Sequence, residues 1–509
     1  MVGGNKSVKG KRPLLSGDGR KQYGGAHLPD FKLNFFRSKK IKEKFFISTD
    51  MGSWVLLSES EYARLLDGDL DVHLFKKLEK VGIVLTDSNK EWVMQQYRRN
   101  YWHLITGTSL HIIVPTLRCN HSCVYCYANR VPESAEGYDM TVETATKVVD
   151  FIFQSPASTI TIEFTGGEPL LNFSIVKYIV EYSEKLNKKF KKSVLYALVT
   201  NGVLLDRNMI EFFIDHNVGL CISLDGPKDV HDNNRKYLDG SGTYDDVIKS
   251  IRLLHDAFKE KKIRQNFNLI PTISRYSLLH WKEIVDEYVK LDFRILRFKF
   301  VNYFGFAERF WKEIGYTPQE YLPVWEKAFD YCLELTRKGK PVIEQMGLYV
   351  TRKIIEMRDI GFCELQVPCG AARGQIVYNY DGGIYPCDES RTFPELKIGS
   401  VYDNSYEEVL SGPIVTAFLN MSSNLSLKCD SCAYYSFCGL CPLQAYSERK
   451  NIRPHVPGDM KGEIHRGMID HILGKIVGSE KGLAELKDSI RRANREHELN
   501  VSGRGTKEE

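Results

Sequence analysis

At 509 residues the chain is too long for one small core, so two or three domains are expected, and a content of 43% hydrophobic and 12% aromatic residues is that of a globular protein. The net charge of +5 is small for this length and gives no support to a nucleic-acid partner. No stretch approaches the ~18 consecutive apolar residues of a membrane span, and the basic N-terminus (Lys6, Lys9, Lys11, Arg12) lacks the apolar segment of a signal peptide, so a cytoplasmic protein is expected.

Residues 1–30 are rich in Gly, Lys and Ser and read as a disordered tail. Residues 31–100 read as a small α+β domain. Phe45-Phe46-Ile47-Ser48 and Trp54-Val55-Leu56-Leu57 form a hairpin about Asp50-Met51-Gly52. Ser58-Glu59-Ser60-Glu61 is a helix start, a second helix follows near Leu74–Leu78, and 83–85 is a short strand. A unit of this size suits a peptide-recognition module of winged-helix type; a packing domain over the main fold is the plainer alternative.

From 105 to 305 the pattern alternates. Strands are expected at 110–116, 159–165, 194–200, 218–224, 266–273 and 293–300, with helices at 142–153, 175–186, 207–215, 244–258 and 278–288. Near-continuous apolar strands between helices imply a parallel sheet wrapped by helices, here a partial (β/α)6 TIM-like barrel of the α/β class. Chemistry in such barrels sits at the C-terminal strand ends. The polar motifs fall there: Cys119-x3-Cys123-x2-Cys126 after the first strand, Gly166-Gly167-Glu168-Pro169 after the second, Thr200-Asn201 after the third, and Ser223-Leu224-Asp225 after the fourth. Residues 306–360 read as a helical linker, 361–460 as cysteine-rich and strand-poor, and 461–509 as a charged helix with a frayed tail.

Twelve cysteines without a secretory signal point to metal binding rather than disulfides. Three thiolates at 119–126 can hold three corners of a [4Fe–4S] cube and leave one iron open. Zinc, which wants four ligands, and free thiols are the alternatives. Seven more cysteines lie at 363–441, and the glycines of Gly166-Gly167-Glu168-Pro169 let backbone approach a ligand closely or form an ordinary tight turn. His111 on the first strand reads as a satisfied interior histidine.

The three-cysteine loop together with Gly166–Pro169, in register with six β/α units, resembles the radical S-adenosylmethionine (SAM) superfamily over 109–302. That resemblance implies a [4Fe–4S] cluster at Cys119, Cys123 and Cys126 that binds SAM and yields a 5′-deoxyadenosyl radical. It further implies that Gly166, Gly167 and Glu168 take the methionine amine, that Tyr125 lies near the adenine, and that Ser223, Asp225 and Arg235 face the SAM carboxylate or ribose. Thr200 and Asn201 reach the pocket or cap their loop.

The later cysteines resemble a SPASM extension with one or two auxiliary [4Fe–4S] clusters. By analogy Cys363, Cys369, Cys387 and Cys441 hold the first, and Cys429, Cys432 and Cys438 the second. The family supplies a further downstream cysteine, but none follows Cys441; His455, Asp459, His465, a substrate atom or nothing fills that place. One zinc on Cys429, Cys432, Cys438 and Cys441 is the plainer reading. Asp388 stands where the sulfatase-maturing branch has a base, or is a turn residue. The stretches 110–123 and 429–442 are similar to His-Xaa-Ser system maturases. The implied activity is hydrogen abstraction from a ribosomal peptide or protein, giving a crosslink, an epimer or an oxidised side chain. Formylglycine formation and a non-catalytic Fe–S carrier are the other readings. The resemblance also implies a flavodoxin or ferredoxin reductant.

Overall fold

The computed structural model describes residues 28–423, 427–454 and 458–502. The N-terminal unit is a three-stranded antiparallel sheet, β1 (Phe36–Ile41), β2 (Lys44–Thr49) and β3 (Trp54–Leu57), followed by α1 (Glu59–Asp67), α2 (Val72–Glu79) and α3 (Lys90–Asn100). The hairpin expected at 45–57 is β2–β3. Helix α1 starts at a capping box, in which Ser58 accepts from Glu61 N at 3.2 Å and the Glu61 carboxylate accepts from Ser58 N at 2.7 Å, so two otherwise unpaired amides are satisfied.

The barrel follows. Its strands are β4 (Leu110–Ile113), β5 (Thr159–Phe164), β6 (Ser193–Thr200), β7 (Val218–Ser223), β8 (Phe267–Ile270), β9 (Thr272–Ile273), β10 (Ile295–Leu296) and β11 (Lys299–Phe300). The outer helices are α4 (Val142–Ile152), α5 (Phe173–Phe190), α6 (Arg207–Asp215), α7 (Tyr244–Glu260) and α8 (Trp281–Lys290). Strands β4 to β8 pair in parallel, and β9 pairs in parallel with β11, so the six expected β/α units are present, two of them with split strands. Ile160, Ile162 and Phe164 of β5 bury against the helices, while Glu163 alternates to the inner face beside Ile112 and Ala197.

The region after 360 has three short strands, and they join the barrel sheet. Strand β13 (Gln375–Tyr378) pairs in parallel with β4, and β14 (Gly383–Tyr385) and β15 (Gly399–Ser400) extend the sheet antiparallel. The turn between β13 and β14 is Asp381-Gly382, with Gly382 at φ 82°, an ordinary hairpin signal. The sheet order is therefore β8-β7-β6-β5-β4-β13-β14-β15, one continuous surface from barrel to cysteine-rich region. Between them, α9 (Pro318–Arg337), the short strand β12 (Ile343–Glu344) and α10 (Gln345–Ile355) pack with the long α11 (Met460–Gly478). Helix α11 buries Ile464, Met468, Ile469, Ile472 and Leu473 completely, so it is core rather than a solvated helix. The expected tail at 1–27 and the last residues, 503–509, lie outside the described residues.

Candidate active site

None of the twelve cysteines is in a disulfide. Cys119, Cys123 and Cys126 leave the end of β4 in one loop that is pinned to the turn after β5. Gly167 N donates to Thr116 O at 2.9 Å and Glu168 N to Arg118 O at 2.7 Å. A Cβ on Gly166, at φ +136°, would stand 2.5 Å from Thr116 O, and one on Gly167 would stand 2.2 Å from Arg118 O. The two glycines are thus required by the approach of two strand ends. Glu168 is buried and accepts from Thr200 Oγ1 (2.8 Å), Leu170 N (3.1 Å) and Asn201 N (2.8 Å). Burial pushes its pKa up to about 7. Thr200 and Asn201 hold Glu168, and Asn201 also donates to Asn120, inside the cysteine loop, at 2.8 Å.

Asp225 is completely buried and its carboxylate joins four partners. Oδ1 accepts from Arg235 Nε at 3.1 Å and Thr272 N at 3.0 Å; Oδ2 accepts from Asn234 at 3.1 Å and from the Tyr125 hydroxyl. Arg235 in turn places Nη1 3.8 Å from Cys123 Sγ and its guanidinium 5.3 Å from the Tyr125 ring centre. Asp225 therefore orients the two side chains nearest the cysteine loop, a duty that the sequence motif alone does not show. Ser223 is buried at the end of β7. His111 bonds Tyr378 (2.9 Å) and Thr108 O (3.1 Å) and is the satisfied interior histidine expected.

The seven later cysteines separate into two groups. Cys363 lies in electrostatic reach of Cys369 and Cys387, Cys387 of Cys369 and Cys441, and Cys441 of Cys369. Cys438 interacts instead with Cys432 and Cys429. The Cys438–Cys441 turn spans both groups and is pressed onto Glu364, since a Cβ on Gly439 would meet Glu364 O at 1.8 Å. Among the described residues no three His, Cys, Asp or Glu side chains converge on the position of a single ion. The electrostatic contact of Cys441 with Cys369, apart from the Cys429, Cys432 and Cys438 group, argues against one zinc on the last four cysteines.

Iron–sulfur clusters suit these donor sets. Burial pushes Cys123 up to about 11 and Cys438 up to about 12, so neither would ionise alone. The positive irons of a cluster would supply what keeps such buried thiolates deprotonated.

The two ends of the site touch. Tyr127, next to Cys126, donates its hydroxyl to Asp388, next to Cys387. Arg391 binds Asp388 Oδ1 at 3.0 Å and Ala128 O at 2.9 Å, and Thr392 Oγ1 donates to Tyr127 O at 2.8 Å. Glu364 is flanked by Arg297 and Lys461, each at 3.0 Å. Although burial works the other way, Lys461 and Arg297 hold Glu364 well below the usual carboxylate range. Tyr127, Arg391, Arg297 and Lys461 carry no motif; only their position beside cysteines or at a strand end could have marked them.

Comparison with known proteins agrees with this geometry. Residues 113–288 match the radical SAM superfamily, and 369–433 match an iron–sulfur cluster-binding domain, SPASM. The chain is 24% identical over 359 residues to the cysteine-type anaerobic sulfatase-maturating enzyme of Clostridium novyi, covering 68% of this chain and 89% of that one. A solved structure titled native anSMEcpe with bound AdoMet superposes with TM-score 0.62 at 20% identity, over 74% of this chain and 99% of that one. Streptococcus suis SuiB bound to precursor peptide SuiA superposes with TM-score 0.51 at 14% identity, over 84% of this chain and 98% of that one. A [4Fe–4S] cluster and SAM are the cofactors of the first domain, and auxiliary iron–sulfur clusters those of the second. The chain is a radical SAM enzyme carrying a SPASM iron–sulfur domain.

Proposed function

We propose that this enzyme modifies a ribosomally made peptide or protein, installing a crosslink, an epimerised centre or an oxidised side chain. The observation that carries this reading is the Tyr127–Asp388 contact, which joins the SAM-binding cysteine loop to the first auxiliary cysteine group at one barrel mouth. When bound, the cluster and SAM supply a one-electron route to a carbon-centred radical that takes a substrate hydrogen. The protein's share is positional. Cys119, Cys123 and Cys126 would hold the cluster. Gly166, Gly167 and Glu168 would receive the methionine amine, with Ser223 and Arg235 toward its carboxylate or the ribose. Asp225 would fix Tyr125 and Arg235. Cys363, Cys369, Cys387 and Cys441 would hold one auxiliary cluster, and Cys429, Cys432 and Cys438 another.

Asp388 would take the proton that a side chain loses on oxidation. The N-terminal sheet supports a leader-peptide role, because it is a compact antiparallel unit set against the 430–436 loop: Ser48 Oγ donates to Ala433 O, and Ser436 Oγ to Thr49 O, both at 2.7 Å. A flavodoxin or ferredoxin in the cytoplasm would reduce the enzyme. Among the described residues no helix is long and apolar enough to cross a membrane.

A second reading is favoured by the sulfatase-maturating relative: oxidation of Cys or Ser to formylglycine. One experiment tests both. The enzyme, reconstituted without oxygen, is given SAM, reductant and peptides encoded beside its gene, or short peptides carrying a Cys or Ser acceptor. Formation of 5′-deoxyadenosine with loss of two hydrogens from an encoded peptide supports the crosslinking form, and unchanged mass with inverted configuration supports epimerisation. An aldehyde at the Cys or Ser acceptor, trapped with a hydrazide because oxidation of Ser to formylglycine also removes just two hydrogens, supports the second reading. Absence of SAM cleavage by fully loaded protein would sink both and favour an electron carrier.

A further inference from the structure

We infer that His465, through Nε2, is the fourth ligand of the iron–sulfur cluster held by Cys429, Cys432 and Cys438. The inference rests on the auxiliary-cluster reading above and fills its one vacancy in the donor count. Four observations point to this residue.

First, His465 stands beside the right cysteine. Cys438 Sγ is 4.0 Å from Gly462 O, and His465 is three residues further along α11, the next position on the same helix face. Its Nδ1 lies 3.4 Å from the carbonyl of Gly439, the residue that follows Cys438. Second, the ring is completely buried and, among the described residues, Nε2 has no hydrogen-bond partner. A buried polar atom in a native fold is ordinarily paired, so an unpaired one calls for a ligand. Third, the tautomer is set for metal binding. With Nδ1–H donated to a backbone carbonyl, Nε2 carries the lone pair, the arrangement that second-sphere contacts impose on metal-bound histidine.

Fourth, the alternatives are occupied or undescribed. Asp459 is ion-paired with Arg449, and His455 lies outside the described residues. Lys461 and Lys353 face the ring, Glu364 opposes them, and the Phe300 ring lies 6.2 Å away. Replacing a thiolate by a neutral imidazole removes one negative charge, so this cluster would have a higher reduction potential than one with four cysteines.

The test reads the nitrogen directly. The full chain is loaded with iron and sulfide without oxygen, SAM is omitted because its amine would contribute its own nitrogen signal, and the reduced protein is studied by pulsed electron paramagnetic resonance. Wild type is made with natural and with 15N-labelled histidine, beside H465C and H465A. Iron is counted in each, three clusters carrying about twelve irons. The expected result is a strong nitrogen coupling that changes with the histidine label and is lost in H465C. H465C should keep the wild-type iron content and lower one auxiliary potential. Because Cys remains a ligand, that variant does not depend on tolerance of an empty position. Full iron content with no label-sensitive coupling, or a coupling that persists in H465C, overturns the assignment and leaves the auxiliary clusters intact. An iron content of about four in wild type overturns the auxiliary-cluster reading and this inference with it.

Discussion

The hydroxyl of Tyr127 donates to the carboxylate of Asp388, two residues 261 positions apart in the chain, each adjacent to a cysteine of a different group. Arg391 holds the other oxygen of the same carboxylate at 3.0 Å. Asp388 is thus an anchored carboxylate at the junction. If it accepts a substrate proton, Asp388→Asn keeps the shape, loses the base, and lowers turnover by about 10²–10⁴-fold. SAM cleavage without substrate and the iron content should be unchanged. Full turnover by Asp388→Asn with clusters intact would show that Asp388 only anchors the two loops.

Arg235 and Asp225 are a buried ion pair, with side chains 9% and 0% exposed. Removing one member leaves the other charged and unpaired in the interior, which costs about 3–5 kcal/mol. Arg235→Met should therefore lower the midpoint of thermal unfolding sharply. Arg235→Lys should lower it less, because the charge remains although the planar fork is gone. Calorimetry on the anaerobically loaded protein separates the two. Equal stability of Arg235→Met and wild type would remove the ion pair from the account.

The two auxiliary cysteine groups should load independently. Cys369→Ala and Cys438→Ala should each reduce bound iron from about twelve to about eight per chain, and the double variant to about four. A single metal site shared by the last four cysteines predicts instead that Cys441→Ala and Cys438→Ala empty the same site. Elemental analysis of iron and zinc decides between the patterns.

Glu163, on the inner face of β5, has its pKa pushed up to about 7 by burial and by Asp388, against Lys299 and Arg297. Its unfolded value is near 4.5. Between pH 4.5 and about 7 the folded chain therefore holds more proton than the unfolded chain, and stability falls as pH rises through that window. At pH 8 the cost is at most about 3 kcal/mol. Glu163→Gln should unfold at a higher temperature than wild type at pH 8 and at the same temperature at pH 4. An unchanged difference at both values would show that the carboxylate does not titrate in this range.

Arg37 couples the N-terminal sheet to the second auxiliary group. It is 5% exposed, bonds Asp430 O at 2.6 Å, pairs with Asp50, and stacks 4.0 Å from the Tyr435 ring centre. Arg37→Ala should cost about 2–3 kcal/mol at this junction through loss of charged hydrogen bonds. Limited proteolysis should then cut more rapidly between the N-terminal unit and the barrel. Wild-type cleavage rates would show that the sheet is held by its other contacts, such as the Trp54 Nε1 bond to Ile354 O at 2.7 Å.

The barrel was legible because its information is local. Each strand is a short apolar run with period two on its own residues, each helix a longer run of period 3.6, and the motifs stand at strand ends. The Ser58 cap and the 45–57 hairpin were legible on the same terms. The β13–β14 hairpin carried a local signal too, in Asp381-Gly382, but the cysteine spacing around it drew the reading toward a strand-poor region. That β13 pairs with β4 had no local signal: Gln375 meets Leu110 across 265 positions.

By itself the sequence determined the order of the barrel elements, the three-cysteine loop and the count of ten clustered cysteines in the two cysteine-rich regions. It also showed that no cysteine follows Cys441, where the resemblance implies one more donor. The tertiary structure set Cys441 within electrostatic reach of Cys369, the neighbour that the resemblance implied, and alone decided which side chains are already spent. Asp225 belongs to Tyr125, Arg235 and Asn234; Asp459 to Arg449; among the described residues nothing pairs with His465 Nε2. The physical reason is that a side chain's chemistry is a property of its residue type, whereas the partner that consumes or frees it is chosen by packing between segments far apart in the chain.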